Sequence, residues 1–299
     1  MRPVPMKASV ISPCHPRNRP TLPRTRESVE AAAKGFDVEI LVVEDTDSRG
    51  LSWARNEGLR RASGEAVFFV DADDTVRPDF FTKLLGALER TAADFVLSSF
   101  DVAPLKRDYN LVGNAAIRAV LLPAFFGYSF ADVRRWNAGG DLGALRELGG
   151  VWRGVYRRDF LERHAIRFDE NLRLFEDAPF IAECACRAEK VASISDVIYD
   201  YVPGPQGILA TSLGSDRYFS YKFDALRNRQ AIAARVGGDV MRYFEGSAVF
   251  SALELLRAHK GFFRYVQDSF VRESLRGFPI SRHHPLVAAA VCLCRRLMP

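Results

Sequence analysis

The chain has 299 residues, of which 48% are hydrophobic and 26% charged, an ordinary balance for a globular protein with one large core. Its formal net charge of +5 is carried almost wholly by arginines spread along the chain, so composition predicts no nucleic-acid partner. The five cysteines form no CxxC pair, and no apolar run approaches the ~18 residues that span a bilayer, which argues against a zinc site and a membrane span.

Strand and helix patterns alternate through the first hundred residues. Apolar runs predict strands at 8–12, 38–44, 66–70 and 95–99. Helix patterns run from about Thr25 to Lys34, from Leu51 to Ala62, and onward from Pro78. Nearly continuous apolar strands that alternate with helices indicate a doubly wound, mostly parallel sheet.

Polar segments follow the first three predicted strands. They read "SPCHP", "EDTDS" and "DADD". Ligands of such sheets bind beyond the carboxyl ends of the strands, so the three segments are expected to meet at one crevice.

The third of these segments places Asp71, Asp73 and Asp74 directly after a core strand. Carboxylates in this position suit Mg²⁺ or Mn²⁺ with phosphate oxygens as further ligands. The alternative is a polar turn whose acids cap the next helix. Similarly, Asp45 either contacts a nucleotide or caps a turn. Arg55 either pairs with Asp45 or a phosphate, or lies on a solvated helix face.

Beyond residue 100 the pattern is weaker until "VWRGVYRRDFLERHAIRF". The segment "FEDAPFIAECACRAEK" opens a helix, where Asp177 read alone would be an N-cap residue. After a Pro/Gly break at 202–207 the sequence is predicted to be helical to its end.

Two blocks of sequence carry a family resemblance. The ordered segments "SVISP", "VVEDTDS", "ARNEG" and "FFVDADDTVRP" resemble the N-terminal pattern of glycosyltransferase family 2. The stretch "VWRGVYRRDFLERHAIRFDENLRLFEDAPF" is similar to a later block, ending in "gED..f", of bacterial members that build surface polysaccharides.

The resemblance implies an α/β fold of the GT-A type. This is a Rossmann-like, mostly parallel sheet with helices on both faces, here with a helical C-terminal extension. It also implies a division into a nucleotide-sugar-binding half (1–100), an acceptor-binding half that carries the acidic-pair helix (101–204) and a helical C-terminal region (205–299).

The donor-site roles implied by the resemblance fall on five residues. Pro13 and Asp45 would flank the uracil of a UDP-sugar, and Arg55 would steady that side of the nucleotide. Asp71 would approach the ribose or the metal shell. Asp73 would ligate Mn²⁺ or Mg²⁺, which stabilises the departing diphosphate as a Lewis acid.

The acidic pair Glu176–Asp177 supplies the base in the family pattern. Asp177 would remove the proton of an acceptor hydroxyl, which attacks the anomeric carbon and inverts its configuration. Asp74 is expected only to orient Asp73.

The sequence departs from the family pattern in three places, of which the replacement of aspartate by Glu44 in the first acidic pair is a mild change. Only "RGLSW" separates Ser48 from Ala54, where family members carry a longer segment that includes a strand. We therefore expect a missing edge strand and a more open wall beside the base pocket. The proline-rich stretch after "SVIS" predicts a late start of the first helix.

Two other function classes stay open. One is a Mg²⁺-dependent nucleotidyltransferase, although the sequence has no glycine-rich or lysine-bearing phosphate loop. The other is a non-catalytic nucleotide-binding or membrane-peripheral scaffold. We expect a cytoplasmic protein, located at the inner face of the membrane if its basic C-terminal tail contacts lipid beside a lipid-linked acceptor.

Overall fold

The computed structural model describes residues 6–99, 108–125, 150–202, 211–212, 215–236 and 240. The chain divides into two compact units. The first contains residues 1–121 and 148–204, and the second contains residues 122–147 and 205–299. The division into functional halves at residues 100 and 204 stays a prediction.

The first unit holds all the described strands. Their bounds are β1 (Ala8–Cys14), β2 (Val38–Glu44), β3 (Ala66–Phe69), β4 (Thr75–Val76), β5 (Phe95–Ser99), β6 (Asn110–Val112), β7 (Gly154–Arg157), β8 (Lys190–Val197) and β9 (Tyr199–Asp200).

The described helices lie between and after these strands. Their bounds are α1 (Leu22–Ala32), α2 (Leu51–Arg61), α3 (Phe80–Thr91), α4 (Asn114–Phe125), α5 (Arg158–Arg163), α6 (Asp177–Arg187) and α7 (Asp216–Val236), with short 3-10 turns at Pro16–Asn18 and Val151–Arg153.

Seven strands form one sheet in the order β2-β1-β3-β7-β5-β8-β6. Strands β1, β2, β3, β5 and β8 share one direction, whereas β6 and β7 run opposite to them. Strand β7 is inserted between β3 and β5, and the short strands β4 and β9 pair separately as an antiparallel ribbon. The predicted α/β architecture with a mostly parallel sheet is confirmed.

The predicted strands at 38–44 and 95–99 agree with β2 and β5. The predicted late start of the first helix at Thr25 is wrong, because α1 begins at Leu22. Pro23 occupies the second helical position, where a backbone N–H has no intrahelical partner to lose. The proline is therefore compatible with the first turn and does not delay the helix.

Strand β2 stands at one end of the strand order. In the part of the chain that the structure describes, β2 pairs with β1 and with no strand on its other side. The predicted loss of an edge strand relative to the family pattern stays a prediction.

Alternate residues of β3 pack into the two helical layers. Phe68 contacts the rings of Phe80 and Phe81 in α3, at centroid distances of 5.2 and 5.1 Å. Phe69 points to the opposite layer, where its ring lies 5.8 Å from that of Phe180 in α6. Because successive strand residues face opposite sides, both layers fix the end of β3.

Helix α2 packs closely against β1 through Gly58. A Cβ atom at this position would lie 2.2 Å from the Ile11 Cγ2 atom, a distance that atoms cannot adopt without displacement. The glycine of "ARNEG" therefore permits the close approach that buries Arg55, one turn earlier on the same helix.

The described part of the second unit consists mainly of α7. Its buried face includes Phe219, Phe223, Leu226 and Ile232, at the spacing of an amphipathic helix. The predicted C-terminal tail lies outside the described residues. Where side chains and backbone are described, no helix combines the length and the apolar character needed to cross a bilayer.

Candidate active site

Asp74 anchors the β9 segment to the acidic turn that follows β3. Its carboxylate accepts hydrogen bonds from the Tyr199 hydroxyl and from the Val202 N–H, both at 2.7 Å. The same hydroxyl accepts the N–H of Asp71 at 3.1 Å. Burial, together with neighbouring Asp71, raises the pKa of Asp74 to about 8. Its direct contacts are thus with the β9 region, while its predicted role in orienting Asp73 stays a prediction.

Helix α1 and its N-cap residue fix the backbone of the same turn. Four side chains spaced as i, i+3, i+4 and i+7 lie on one helical face and bind four successive or near-successive backbone groups. The bonds join Thr21 to the Ala72 carbonyl (2.8 Å), Arg24 to the Asp73 carbonyl (2.6 Å), Thr25 to the Asp74 carbonyl (2.7 Å) and Ser28 to the Val76 N–H (3.2 Å).

Thr25→Val tests this backbone clamp. The substitution keeps the side-chain shape but leaves the buried Asp74 carbonyl without its hydrogen-bond donor. We therefore expect the free energy of unfolding to fall by about 1–3 kcal/mol. Urea denaturation measures the change. Thr25→Ser keeps the hydroxyl and is the matched control. Equal stability of wild type and Thr25→Val would show that the bond contributes nothing.

Arg55 joins the acidic turn to the predicted acidic pair. Its side chain is 1% exposed and contacts Asp71 at 3.0 Å, Glu176 at 2.8 Å and Asp177 at 2.7 Å. Although burial opposes the charge, Asp177, Asp71 and Glu176 raise the pKa of Arg55 above its ordinary value. The guanidinium also lies 5.3 Å from the centre of the Phe168 ring. Arg55 is therefore neither on a solvated face nor paired with Asp45.

The acidic pair begins α6, but its side chains do not cap that helix. Glu176 makes no side-chain capping bond. Asp177 accepts Arg55 at one carboxylate oxygen and the Val151 N–H, at 3.3 Å, at the other. Burial raises the pKa of Asp177 to about 8; Arg55 opposes the shift, whereas Glu176 and Asp71 add to it. A carboxyl group with this pKa suits proton transfer near neutral pH.

Phe175 precedes the pair with a φ of +64°, in the left-handed region. Residues other than glycine rarely adopt this backbone conformation, whereas glycine adopts it without a steric cost. The geometry explains why the family pattern has glycine at this position. Here a phenylalanine makes the same turn, which directs Glu176 and Asp177 towards Arg55.

Asp45 closes the loop between β2 and α2. One carboxylate oxygen accepts the Arg49 N–H at 2.6 Å and the other accepts the Gly50 N–H at 2.8 Å. Pro13 lies buried near the end of β1, in register with Val43 of β2. Pro13 and Asp45 thus share the sheet edge predicted for the nucleotide base.

Arg173 supports this loop and was not predicted. Its Nη1 atom donates to the carbonyls of Ser48 and Arg49 at 3.0 and 2.7 Å. Tyr199 was also missed as a site residue, because the sequence shows only a tyrosine-rich strand. The spacing of Thr21, Thr25 and Ser28 on one helical face was a detectable signal.

Asp73 is the predicted cation ligand, and this role stays a prediction. Among the described residues, no side chain donates a hydrogen bond to its carboxylate, whereas the Arg24 side chain binds its backbone carbonyl. Burial, and then Asp71, raise the pKa of Asp73. The described ranges contain no group of three or more histidine, cysteine, aspartate or glutamate side chains that could hold a metal ion. One or two carboxylates that leave the other positions to phosphate and water fit Mg²⁺ or Mn²⁺.

Comparison with known proteins identifies related sequences. The model of Glycosyl transferase family 2 matches residues 21–145. The uncharacterized glycosyltransferase EpsJ of Bacillus subtilis is 30% identical over 191 residues, which cover 64% of this chain and 52% of EpsJ. The succinoglycan biosynthesis protein ExoO of Rhizobium meliloti is 28% identical, over a match that covers 56% of this chain and 52% of ExoO. The chain therefore spans about half the length of these relatives.

Solved structures show the same fold. Staphylococcus aureus TarS in complex with UDP superposes with a TM-score of 0.58 at 15% identity, over 97% of this chain and 88% of that one. The mannosyltransferase PcManGT of Pyrobaculum calidifontis, in complex with GDP-Man and Mn²⁺, gives a TM-score of 0.53 at 14% identity, over 98% and 87% of the two chains. At these identities the likeness shows the fold alone, and it confirms the GT-A architecture.

Proposed function

We propose that the chain is a member of glycosyltransferase family 2, whose model matches residues 21–145, and that it is an inverting glycosyltransferase. It transfers a sugar from a nucleotide-sugar donor to a hydroxyl group of a bacterial surface glycan or a lipid-linked acceptor. The observation that carries the proposal is the Arg55 cluster, because it brings the strand-end carboxylate of Asp71 together with Glu176 and Asp177.

The donor is proposed to be a UDP-sugar. The TarS structures contain UDP or UDP-GlcNAc, which supports this choice, whereas PcManGT contains GDP-Man. In the proposed complex, Pro13 and Asp45 lie at the base, and Asp73 with Asp71 holds Mn²⁺ or Mg²⁺. The bound cation supplies charge neutralisation for the departing diphosphate.

Asp177 is the proposed base. Each of its oxygens accepts one hydrogen bond and keeps a lone pair for another donor, so an acceptor hydroxyl can bind there. As that hydroxyl oxygen bonds to the anomeric carbon, its proton passes to Asp177 and the bond to the diphosphate breaks on the opposite side. This single displacement inverts the anomeric configuration.

Arg55 is a positioning residue in this proposal. Its guanidinium fixes the direction of the Asp177 carboxylate, and its charge offsets part of the repulsion among three neighbouring acids. The orientation of the base is therefore linked to Asp71, at the donor side of the site.

The name of ExoO supports an acceptor in polysaccharide biosynthesis. If the acceptor is lipid-linked, the reaction takes place at the inner face of the cytoplasmic membrane. A non-catalytic scaffold would not require a carboxyl group with a raised pKa that is joined through Arg55 to Asp71.

Thermal unfolding with UDP and Mn²⁺ tests the donor site. A ligand at one hundred times its Kd stabilises the folded state by about 2.7 kcal/mol, which raises Tm by a few degrees. We expect this rise with UDP and Mn²⁺ together, a much smaller rise with either alone, and none in Asp73→Ala. Asp159→Ala, which changes a 75% exposed side chain on α5, is the control and should respond like wild type.

An identical rise in wild type and Asp73→Ala would remove Asp73 from the metal site. If UDP, GDP, CDP and dTDP all fail to raise Tm in the presence of Mn²⁺, the proposed activity itself is wrong.

A further inference from the structure

Three aromatic rings form a continuous stack beside the carboxylates. Trp152 lies in the middle, with its ring centroid 4.5 Å from that of Tyr199 and 5.7 Å from that of Tyr201. The corresponding interplanar angles are 22° and 11°, so the three rings are nearly parallel. We refer to Tyr199, Trp152 and Tyr201 as the aromatic stack.

The aromatic stack is attached to both halves of the candidate site. On the donor side, the Tyr199 hydroxyl binds Asp74 and the N–H of Asp71. On the side of the base, Trp152 directly follows Val151, whose N–H binds Asp177. The stack is therefore placed by the same groups that place the reacting carboxylates.

Tyr201 is the outer ring of the stack and differs from the other two in exposure. Trp152 is 7% exposed and Tyr199 is fully buried, whereas Tyr201 is 48% exposed. Because Trp152 covers one face of the Tyr201 ring, the exposed area lies on the other face and at the edge. The next residue is fixed too, since the Val202 N–H binds Asp74.

The chemistry around this exposed ring is suited to a sugar. One face of a pyranose ring presents C–H groups that pack on an aromatic ring, while its hydroxyl groups need hydrogen-bond acceptors. Tyr201 offers the ring, and the carboxylate of Asp74 lies beside it, because that carboxylate binds the Tyr199 hydroxyl on one side of Tyr201 and the Val202 N–H on the other. An aromatic surface held beside a carboxylate combines both requirements.

We propose that the exposed face of Tyr201 is a binding platform for a pyranose ring at the candidate active site. The proposal rests on the proposed function and deepens it, since it adds a sugar-binding residue to the nucleotide and base residues. The ring that packs on Tyr201 belongs either to the donor or to the acceptor, and the experiment below separates the two sources.

The experiment compares wild type with Tyr201→Ala and Tyr201→Phe. The donor arm measures the affinity of UDP and of UDP-glucose, UDP-galactose and UDP-GlcNAc by calorimetry with Mn²⁺. The acceptor arm measures saturation-transfer NMR signals of the corresponding methyl glycosides with Mn²⁺ and UDP present. Tyr218→Ala, which removes a half-buried tyrosine of α7, is the matched control.

In Tyr201→Ala we expect either the affinity for UDP-sugars or the glycoside signal to fall about three- to tenfold, which is the scale of a single aromatic contact. In Tyr201→Phe we expect both to equal the wild-type values. If Tyr201→Ala weakens the binding of UDP-sugars but not of UDP, the ring that packs on Tyr201 belongs to the donor. If the variant weakens only the methyl glycoside signals, that ring belongs to the acceptor. UDP binding alone should be unchanged in all variants.

If neither arm responds to Tyr201→Ala while UDP still binds with Mn²⁺, the platform is wrong and the proposed function stands. If UDP and the other nucleotides do not bind to wild type, the proposed function fails before the platform is tested. An equal loss in Tyr201→Phe would overturn the stacking explanation, because that variant retains the ring.

Discussion

Replacing Arg55 with alanine is expected to lower the free energy of unfolding by about 3–5 kcal/mol, because the change leaves buried carboxylates without their cation. Arg55 contacts Asp71, Glu176 and Asp177, and its side chain is 1% exposed. Without its positive charge, the electrostatic repulsion among these three carboxylates is no longer offset. Guanidinium or urea denaturation at pH 8 measures the loss.

The pH dependence of this loss has a defined sign. Without Arg55 the neighbouring carboxyl groups have higher pKa values in the folded state, so the folded variant binds more protons than the folded wild type. Its stability relative to wild type therefore falls as pH rises, and the penalty is smaller at pH 5 than at pH 8.

Arg61→Ala is the control on the same helix. The Arg61 side chain is 53% exposed and pairs with Glu57, so its loss should change stability by no more than about 0.5 kcal/mol. A similarly small effect of Arg55→Ala would mean that the buried contacts of Arg55 do not hold the site together.

Asp177→Asn is expected to reduce sugar transfer about 10²- to 10⁴-fold, since an amide cannot accept the acceptor's proton. The fold should persist, because the amide oxygen still accepts a hydrogen bond from Arg55 and the excess negative charge decreases. We expect stability near pH 4 within about 1 kcal/mol of wild type, because the variant loses only the long bond from Val151, and stability at pH 8 no lower than that of wild type. Transfer assays and denaturation of the same samples separate the two effects.

The pH dependence of the free energy of unfolding provides an independent test of Asp177. The folded pKa of about 8 lies above the value of 3.8 expected in the unfolded chain, so the folded state holds an extra proton between them. The contribution of this group to stability is fully present below pH 3.8 and is lost as pH rises through about 8. Asp177→Asn should therefore make stability less dependent on pH over this range.

Asp159→Asn is a control for both measurements. Asp159 also lies in the first turn of a helix, α5, but its side chain is 75% exposed. Its replacement should leave transfer and the stability profile unchanged. Substantial transfer by Asp177→Asn would exclude Asp177 as the base.

The sequence pattern was sufficient to predict the sheet edge. Apolar runs located β2 and β5, and the rule for parallel strands placed Asp45, Asp71 and Asp73 at the same edge. These predictions depend on short-range periodicity, which one sequence displays directly. The start of α1 was missed because proline is unfavourable within a helix but not in its first turn.

The contacts inside the site could not be predicted in the same way. Arg55 and Asp177 are 122 positions apart, and the pattern around Arg55 is equally compatible with a solvated helix face. Tyr199 and Asp74 are 125 positions apart. Such pairs form only when the strands order themselves in the sheet, so their identity depends on topology and not on local sequence.

The position of β7 has a consequence for synthesis on the ribosome. Strands β3 and β5 are both made before residue 100, but the strand that separates them is made more than fifty residues later. Until Gly154–Arg157 leaves the exit tunnel, the nascent chain carries β3 with one unpaired edge, and β5 lacks both β7 and β8. Unpaired apolar edges promote association between chains, so we expect the nascent chain to be most prone to association while the middle segment is translated.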